Sequence, residues 1–186
     1  MRIIAGSLKG RQLKTGSGPG YRPATGKVRE ALFSMLEAPG LVWETTRVLD
    51  LFAGSGSLGF ETLSRGGSQA LFVENSASAC ALIRQNIASL SLADGKAQVI
   101  KNNVLSFLKK SDHGEFDLIF VDPPYGKNIL EPVMQSLITG SHVKHNGLIC
   151  AEIENDPNIN VHFSDHLLLL KDKSYGQTRI LIWKKQ

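Results

Sequence analysis

The sequence predicts an α/β fold with a mostly parallel sheet of seven strands, because short apolar runs alternate with longer segments of helical periodicity. A glycine-rich loop follows the first strand of this series and leads into a helical segment, which is typical of parallel sheets. The last two runs have no helix between them and predict a closing antiparallel hairpin. Ligands of such sheets bind at the carboxyl ends of the strands, so the residues that follow each run are the candidates for function.

A short basic hairpin and one helix are predicted to precede the sheet. The helix is expected at 27–36, where apolar residues recur at helical spacing, and it stops before Pro39 and Gly40. The runs that predict strands lie at 48–52, 70–74, 97–101, 117–122, 147–153, 166–171 and 179–184. The segments that predict the intervening helices lie at 58–65, 77–90, 104–110 and 128–139. We therefore expect an extension of residues 1–40 that packs on a main domain of residues 41–186.

The composition fits one compact domain. A chain of 186 residues that is 42% hydrophobic can bury one sizeable core. Cys80 and Cys150 lie in separate apolar segments without a Cys-x-x-Cys pair, which predicts reduced core residues and no metal site. No stretch approaches the roughly 18 apolar residues of a membrane helix, and the N-terminus lacks the apolar region of a signal peptide. We expect a cytoplasmic monomer with no membrane partner.

The glycine loop between the first strand and the next helix predicts a nucleotide site. Gly54, Gly56 and Gly59 have the spacing Gly-x-Gly-x-x-Gly, in which the backbone approaches a ligand closely and turns into a helix whose first N–H groups point outward. Glu74 ends the next strand, at the place where a carboxylate binds a ribose diol. These two segments alone leave a dinucleotide possible.

Asp50 favours a different ligand. It lies at the end of the first strand, where its negative charge would repel a pyrophosphate and attract a cationic amino acid group. S-adenosylmethionine carries such a group beside its sulfonium. The first motif therefore favours this cofactor over a dinucleotide.

A second motif, Asp122-Pro123-Pro124-Tyr125, follows the fourth predicted strand. The prolines have no N–H to donate and fixed φ angles, so they form a rigid corner lined by carbonyl groups. The Asp122 carboxylate and the Pro123 carbonyl could hold the two N–H groups of a planar amino group while Tyr125 stacks on the attached ring. Two prolines after a strand more often form a plain loop, and the glycine loop upstream is what favours a site here.

Taken in order, the motifs resemble those of class I S-adenosylmethionine-dependent methyltransferases that act on exocyclic amino groups. The resemblance implies a Rossmann-like fold, S-adenosylmethionine as cofactor, and direct methyl transfer. The catalytic residues that it implies are Asp122, Pro123, Pro124 and Tyr125. The cofactor-binding residues are Asp50, Phe52, Ala53, Gly54, Ser55, Gly56, Gly59, Glu74, Asn75, Asn103 and Val104.

Two of these cofactor contacts have alternatives. In the related enzymes a polar side chain after the third strand hydrogen-bonds to the adenine amino group, and the backbone N–H of the next residue hydrogen-bonds to a ring nitrogen. By this resemblance we assign the first contact to Asn103 over Asn102, and the second to Val104. Capping of the following helix is an equally good interpretation of Asn103. Phe52 would line the methionine part of the pocket, although an aromatic residue at a strand end is more often part of the core.

The chain resembles one particular family over nearly its whole length. The segments 1–13, 21–33 and 175–178 resemble the bacterial enzymes that methylate guanine N2 in small-subunit, 16S ribosomal RNA. Ala24 departs from the threonine that is common there, a change that we expect to alter local hydrogen bonding and not activity. The implied partner is ribosomal RNA, either free or in an assembling small subunit.

The distribution of charge agrees with an RNA partner. The net charge is +4, yet residues 1–29 contain seven basic residues and no acid, while the remaining 157 residues contain 14 basic and 17 acidic ones. Basic side chains interspersed with glycine suit a pliable segment that follows phosphates, although a solvated basic surface is the plainer interpretation. The predicted RNA contacts are Arg2, Lys9, Arg11, Lys14, Arg22, Lys27 and Arg29.

Other functional classes share parts of this pattern. A DNA adenine or protein glutamine methyltransferase would use the same corner. The small size without a target-recognition domain argues against the first, and Asp122 in place of asparagine argues against the second. A non-enzymatic RNA-binding module and a nucleotide-dependent oxidoreductase are further alternatives, which preferential binding of S-adenosylmethionine over NAD would exclude.

Overall fold

The computed structural model describes residues 1–16, 26–110, 112–126 and 128–186. These residues form one seven-stranded sheet in the order β3-β2-β1-β4-β5-β7-β6. The strands are β1 Arg47–Leu51, β2 Gln69–Glu74, β3 Ala97–Lys101, β4 Phe116–Val121, β5 Val143–Glu154, β6 Leu167–Tyr175 and β7 Thr178–Lys185. The strands from β3 to β5 are parallel, and β7 is antiparallel to both β5 and β6. The predicted fold class, with its closing hairpin, is confirmed.

The helices lie on both faces of the sheet. They are α1 Gly26–Glu37, α2 Ser57–Ser64, α3 Ala77–Leu90, α4 Val104–Leu108 and α5 Leu130–Thr139. A short 3-10 turn at Trp43–Thr45 precedes β1. Of the helices in the described ranges, none is long and apolar enough to cross a membrane.

Most element boundaries differ from the prediction by one or two residues, and three of the differences have local reasons. Helix α5 begins at Leu130 and not at 128, because Asn128 has a φ of 47°, which a helix cannot contain. Strand β5 begins earlier than predicted, and its pairing with β4 is irregular before Leu148, which hides the alternation of side chains. Strand β6 continues to Tyr175, beyond its predicted end at 171. Its last residues are mostly polar and exposed at the sheet edge, so the sequence has no apolar run there that would predict a strand.

Successive side chains of each strand point to opposite faces of the sheet, so the core consists of two layers. One layer packs α4 and α5 against side chains such as Leu51, Val121 and Ile149. The other packs α1, α2 and α3 against the opposite face, where Phe120 contacts Phe33 of α1 with ring centroids 5.9 Å apart. Both sheet faces are therefore covered, as expected for parallel strands that are apolar on both sides.

The N-terminal segment forms a small hairpin that packs on the second layer. Arg2 and Gln12 form an antiparallel bridge, and Ile3 and Leu13 insert into the same apolar cluster as α1. Gly6 has a φ of 80° and lies so close to α2 that an added Cβ would be 1.8 Å from the Ser64 carbonyl oxygen. Only glycine allows this approach. The hairpin and the sheet thus share one core.

The Glu61 carboxylate on α2 holds the hairpin in place. It is fully buried, and its two oxygens accept the backbone N–H groups of Ile4 at 2.8 Å and Ala5 at 3.0 Å. The Arg65 guanidinium donates to the same carboxylate at 3.1 Å and also pairs with Glu37 at 2.7 Å. Because charged hydrogen bonds of a buried group are strong, Glu61 is a strong polar link between the hairpin and α2.

We predict that Glu61→Ala lowers the free energy of unfolding by about 3 kcal/mol, because it leaves two backbone N–H groups and a guanidinium without their buried acceptor. Denaturant unfolding measures this change. The matched control is Glu37→Ala, which removes the exposed partner of the same Arg65 and should cost less than about 1 kcal/mol. Equal effects of the two substitutions would contradict this account.

Candidate functional site

The glycine loop lies between β1 and α2, at the carboxyl edge of the sheet, and its backbone is unusual. Phe52, Gly54 and Gly56 all have positive φ angles, of 59°, 55° and 78°. A positive φ is costly for phenylalanine, and such strain is typical of functional loops. An added Cβ on Gly59 would lie 2.3 Å from Phe72 Cε1, so this glycine allows α2 to lie directly against β2. The loop therefore has the close packing that the motif predicts.

Glu74 at the end of β2 fixes the loop from the side. Its Oε2 accepts the Gly54 N–H at 2.9 Å, and its Oε1 accepts the Ser76 N–H at 2.7 Å. A carboxylate has about four acceptor positions, so Glu74 can still accept hydroxyl groups of a ligand. Asn75, the next residue, is exposed beside it.

Asp50 lies behind the loop. It is 2% exposed, and its Oδ2 accepts the N–H of Gly59 at 3.0 Å, at the start of α2. Burial is the main reason that the pKa of the Asp50 carboxyl is raised to about 8. The hydrogen bond from Gly59 opposes this increase, and the nearby charge of Glu74 adds to it. The structure thus gives Asp50 a role in holding loop and helix together. Its contact with a cofactor stays a prediction.

The Asp-Pro-Pro-Tyr corner lies beside the loop, because β4 is the neighbour of β1. Asp122 is half-buried, and burial raises the pKa of its carboxyl well above the usual range, with further increases from the charges of Glu152 and Asp50. Tyr125 is 41% exposed, and its hydroxyl lies 3.1 Å from Thr178 Oγ1 at the start of β7. The corner therefore combines a carboxylate that readily takes a proton with an accessible aromatic ring.

Pro123 is buried, and Pro124 is exposed next to Tyr125. The loop residues Ala53 and Ser55 are buried, and their positions are fixed by backbone bonds from the Ala53 N–H to Val73 and from the Gly56 N–H to Ala53. All of these residues lie at the carboxyl ends of β1 and β4. The structure brings the two predicted motifs together.

The residues after β3 are close to Glu74 and make hydrogen bonds and core contacts within the protein. Asn103 caps α4, since its Oδ1 accepts the Ser106 N–H at 3.2 Å, so the structure shows the capping alternative. Asn102 donates its backbone N–H to the Glu74 carbonyl at 3.0 Å, and the Val104 side chain is buried in the core. Phe52 is partly buried against the layer that contains α4 and α5. Contacts of these residues with a cofactor stay predictions.

The predicted RNA contacts separate into two groups. The exposed members are Arg2, Lys9, Arg11, Lys14 and Lys27. Arg29 is 3% exposed, and its Nη2 donates to the Arg2 carbonyl at 2.9 Å, so the prediction that it contacts RNA is wrong. Helical periodicity places Arg29 on the same buried side of α1 as Leu32 and Phe33, where its charge lowers the pKa of Glu152 on β5. Arg22 lies outside the described residues.

The hairpin and α3 form one basic surface. Arg11 donates to the carbonyl of Ser89, and Lys14 Nζ donates to Gln85 Oε1 at 3.1 Å. The backbone of Lys14 is bonded in both directions to the buried side chain of Asn86. The hairpin is thereby fixed against α3, with its basic side chains at the surface.

Sequence reasoning missed two side chains that act on the corner, Thr178 and Glu152. Thr178 begins β7, one residue before the predicted strand, and hydrogen-bonds to Tyr125. Glu152 is buried near the end of β5, where the paired residues Val121 and Ala151 place it level with Asp122. An acidic residue inside an apolar strand was the available signal, but its proximity to Asp122 required the strand order.

We predict that Asp50→Asn stabilises the protein more at pH 8 than at pH 5. The folded pKa of about 8 exceeds the unfolded value of roughly 4, so between these values the unfolded state releases the Asp50 proton while the folded state keeps it. The wild-type protein therefore loses stability as the pH rises from about 4 to about 8. Asparagine keeps an oxygen for the Gly59 N–H and cannot ionise. The change in unfolding free energy on substitution should differ by about 1 kcal/mol or more between the two pH values.

Denaturant unfolding at both pH values measures this difference, with Asp94→Asn, on an exposed turn, as the control. An equal effect of Asp50→Asn at pH 5 and pH 8 would show that the Asp50 carboxyl is not destabilised by burial.

Known proteins are similar to this chain in sequence over nearly its whole length. The family described as conserved hypothetical protein 95 matches residues 1–184. A Bacillus subtilis protein, "Putative rRNA methyltransferase YlbH", is 36% identical over 188 residues, which cover 100% of both chains. "Ribosomal RNA small subunit methyltransferase D" of Haemophilus influenzae is 36% identical over 95% of this chain and 89% of its own.

Solved structures agree with the sequence relatives. A structure from Escherichia coli, "Putative methyltransferase yhhF", superposes with a TM-score of 0.87 at 32% identity, covering 100% of this chain and 98% of the other. The sheet order and the glycine loop described above are thus those of a class I methyltransferase fold. This chain belongs to the family of the small-subunit ribosomal RNA methyltransferase D proteins, the family described as conserved hypothetical protein 95.

Proposed function

We propose that this chain transfers a methyl group from S-adenosylmethionine to the exocyclic N2 amino group of a guanine in 16S ribosomal RNA in the cytoplasm. The observation that carries the proposal is the Asp122 corner directly beside the glycine loop, at the ends of the adjacent strands β4 and β1. A methyl donor in the loop and an amino group at the corner would meet at this edge. The names of the relatives favour ribosomal RNA as the molecule that carries the amino group.

The residues of the loop fit S-adenosylmethionine. Glu74 has acceptor capacity for ribose hydroxyls, and the glycines leave the backbone open to close approach. Burial keeps Asp50 partly protonated near pH 8, which reduces the negative charge that this residue contributes behind the loop. When bound, the cofactor supplies an electrophilic methyl group on a sulfonium.

Asp122 and Pro123 would orient the acceptor. The Asp122 carboxylate and the Pro123 carbonyl accept the two N–H groups of the amino group, which directs the nitrogen lone pair at the methyl. As the nitrogen gains positive charge its proton becomes acidic, and Asp122 is the nearest acceptor that the site provides. The raised pKa of Asp122 makes its ionised form a better proton acceptor than an ordinary aspartate.

Tyr125 would hold the base itself. A guanine in a helix buries its amino group against its partner, so the base must be extruded or lie in a loop. The exposed ring of Tyr125, attached to β7 through Thr178, offers a surface on which the base can stack. The basic surface of hairpin and α3 would bind the surrounding phosphates.

We predict that Asp122→Ala lowers the single-turnover rate of RNA methylation by about 10² or more, because the amino group loses both its orientation and its proton acceptor. Transfer of a labelled methyl group to small subunits or 16S RNA from cells that lack this modification measures the rate. Binding of S-adenosylmethionine, followed by calorimetry, should stay near wild type. Asp94→Ala is the control, and near-normal rates in a folded Asp122→Ala protein would remove Asp122 from the reaction.

We predict that the double substitution Lys9→Ala and Lys14→Ala weakens RNA binding and reduces its salt dependence. Each lost phosphate contact should lower the slope of log affinity against log salt by about 0.7 to 0.9, because fewer counterions are released. Fluorescence titration over a salt series measures the slope. Cofactor affinity should not change.

The matched control removes two exposed lysines after α4, on the opposite face of the sheet, by Lys109→Ala and Lys110→Ala. It has the same net charge and should retain the wild-type slope. If the two double variants behave alike, the hairpin surface makes no contact with RNA and contributes only net charge.

A further inference from the structure

Three carboxyl groups lie in a row across the carboxyl edge of the sheet. Asp50 pairs with Phe120 of β4, and one residue after the pair of Val121 and Ala151 come Asp122 and Glu152. Because side chains alternate along strands, these carboxyl groups point to the face that packs against α1, as Phe120 does. Glu152 is therefore the neighbour of Asp122 on the next strand.

Glu152 is buried in a way that requires an explanation. It is 5% exposed within an apolar strand, and its Oε2 has no hydrogen-bond donor among the residues that the structure describes. Burying a carboxylate with an open acceptor position costs free energy. A residue that serves only to stabilise β5 would be apolar, like its neighbours Ala151 and Ile153.

Arg29 approaches this row from α1. It is 3% exposed and donates to the Arg2 carbonyl of the hairpin. Burial raises the pKa of Glu152, and the positive charge of Arg29 lowers it by a smaller amount. The charge of Glu152 in turn raises the pKa of Asp122. Arg29 therefore connects the hairpin and α1 electrostatically to Glu152 on β5, and Glu152 acts in the same way on Asp122 at the corner.

We propose that Glu152 is a positioning residue for methyl transfer, which acts through Asp122 by setting the charge and orientation of that carboxylate, with Arg29 as its counter-ion. This inference rests on the proposed function, because it takes Asp122 as the acceptor of the amino protons. In the reaction the nitrogen lone pair forms the N–C bond, the S–C bond breaks with its electrons going to sulfur, and one N–H proton passes to Asp122. Glu152 makes Asp122 a stronger base for that proton.

Several other titratable groups act on the same pair. Asp50 on β1 raises the pKa of Asp122, and Glu74 lies beyond Asp50. Burial raises the pKa values of Cys150 on β5 and of Tyr125, and the charges of Glu152 and Asp122 raise both further. These groups are the same in every variant below, so differences between variants report the effect of Glu152.

The experiment is a titration of Asp122 by carbon NMR with labelled aspartate, in the wild-type protein and in Glu152→Gln. The Asp122 signal is identified by its absence in Asp122→Asn. We expect the midpoint to move to lower pH by about one unit in Glu152→Gln, because a like charge is removed from a buried neighbour. The acid limb of the single-turnover rate should move in the same direction.

The controls separate the electrostatic role from a structural one. Glu154→Gln removes an exposed charge from the same strand and should leave the midpoint in place. Glu152→Asp keeps the charge and should retain a midpoint near that of wild type even if folding or rate is impaired. An unchanged midpoint in Glu152→Gln, or a lower rate without any shift of the acid limb, would overturn the inference.

Failure of the inference and failure of the proposed function are distinguishable. If Asp122→Ala abolishes methylation while Glu152→Gln leaves the titration unchanged, only the role of Glu152 is lost. If Asp122→Ala keeps its activity, the proposed role of Asp122 fails, and the role of Glu152 in methyl transfer fails with it, whatever the titration shows.

Discussion

The site depends on two acidic side chains, Asp50 and Glu74, that accept backbone N–H groups of the glycine loop and of the helix that follows it. Asp50 bonds to Gly59 and Glu74 bonds to Gly54, so the loop is fixed at both ends. The positive φ angle of Phe52 is sterically unfavourable, and these hydrogen bonds help to offset the free-energy cost of the loop conformation. The close contact of α2 with β2 at Gly59 has the same origin. A rigid loop is what allows a ligand to be held against the neighbouring strand end.

The N-terminal hairpin is tied to this arrangement from the other side. Glu61 binds the hairpin to α2, the helix that follows the loop, and Arg29 donates to the Arg2 carbonyl of the hairpin while its charge acts on Glu152 beside the corner. The basic surface that we propose to contact RNA phosphates is thus packed on the elements that carry the glycine loop and the corner. Binding of RNA and the orientation of its amino group would be linked through shared packing, without a separate recognition domain.

The sequence predicted those features that depend on the spacing of residues within a short segment of the chain. The succession of strands and helices along the chain, the glycine loop, Glu74 and the Asp122 corner all follow from patterns within one or two elements, whereas the order of the strands in the sheet needed the structure. The role of Arg29 could not be predicted, because a basic residue near other basic residues looks like surface until α1 is placed over a row of carboxylates. Asp50 is comparable, since only the packing of α2 shows that its oxygen is used by Gly59. Asn103 had two interpretations in the sequence, and the side chain is seen as a helix cap.

The identity of the methylated atom tests the central claim most directly. Small subunits or 16S RNA that lack the modification would be incubated with the protein and S-adenosylmethionine, digested to nucleosides, and analysed by mass spectrometry against standards. A corner that holds a planar amino group through the Asp122 carboxylate and the Pro123 carbonyl predicts N2-methylguanosine at a single position. Methylation of a ribose hydroxyl, of a ring nitrogen or carbon, or of a ribosomal protein in place of the RNA would contradict it.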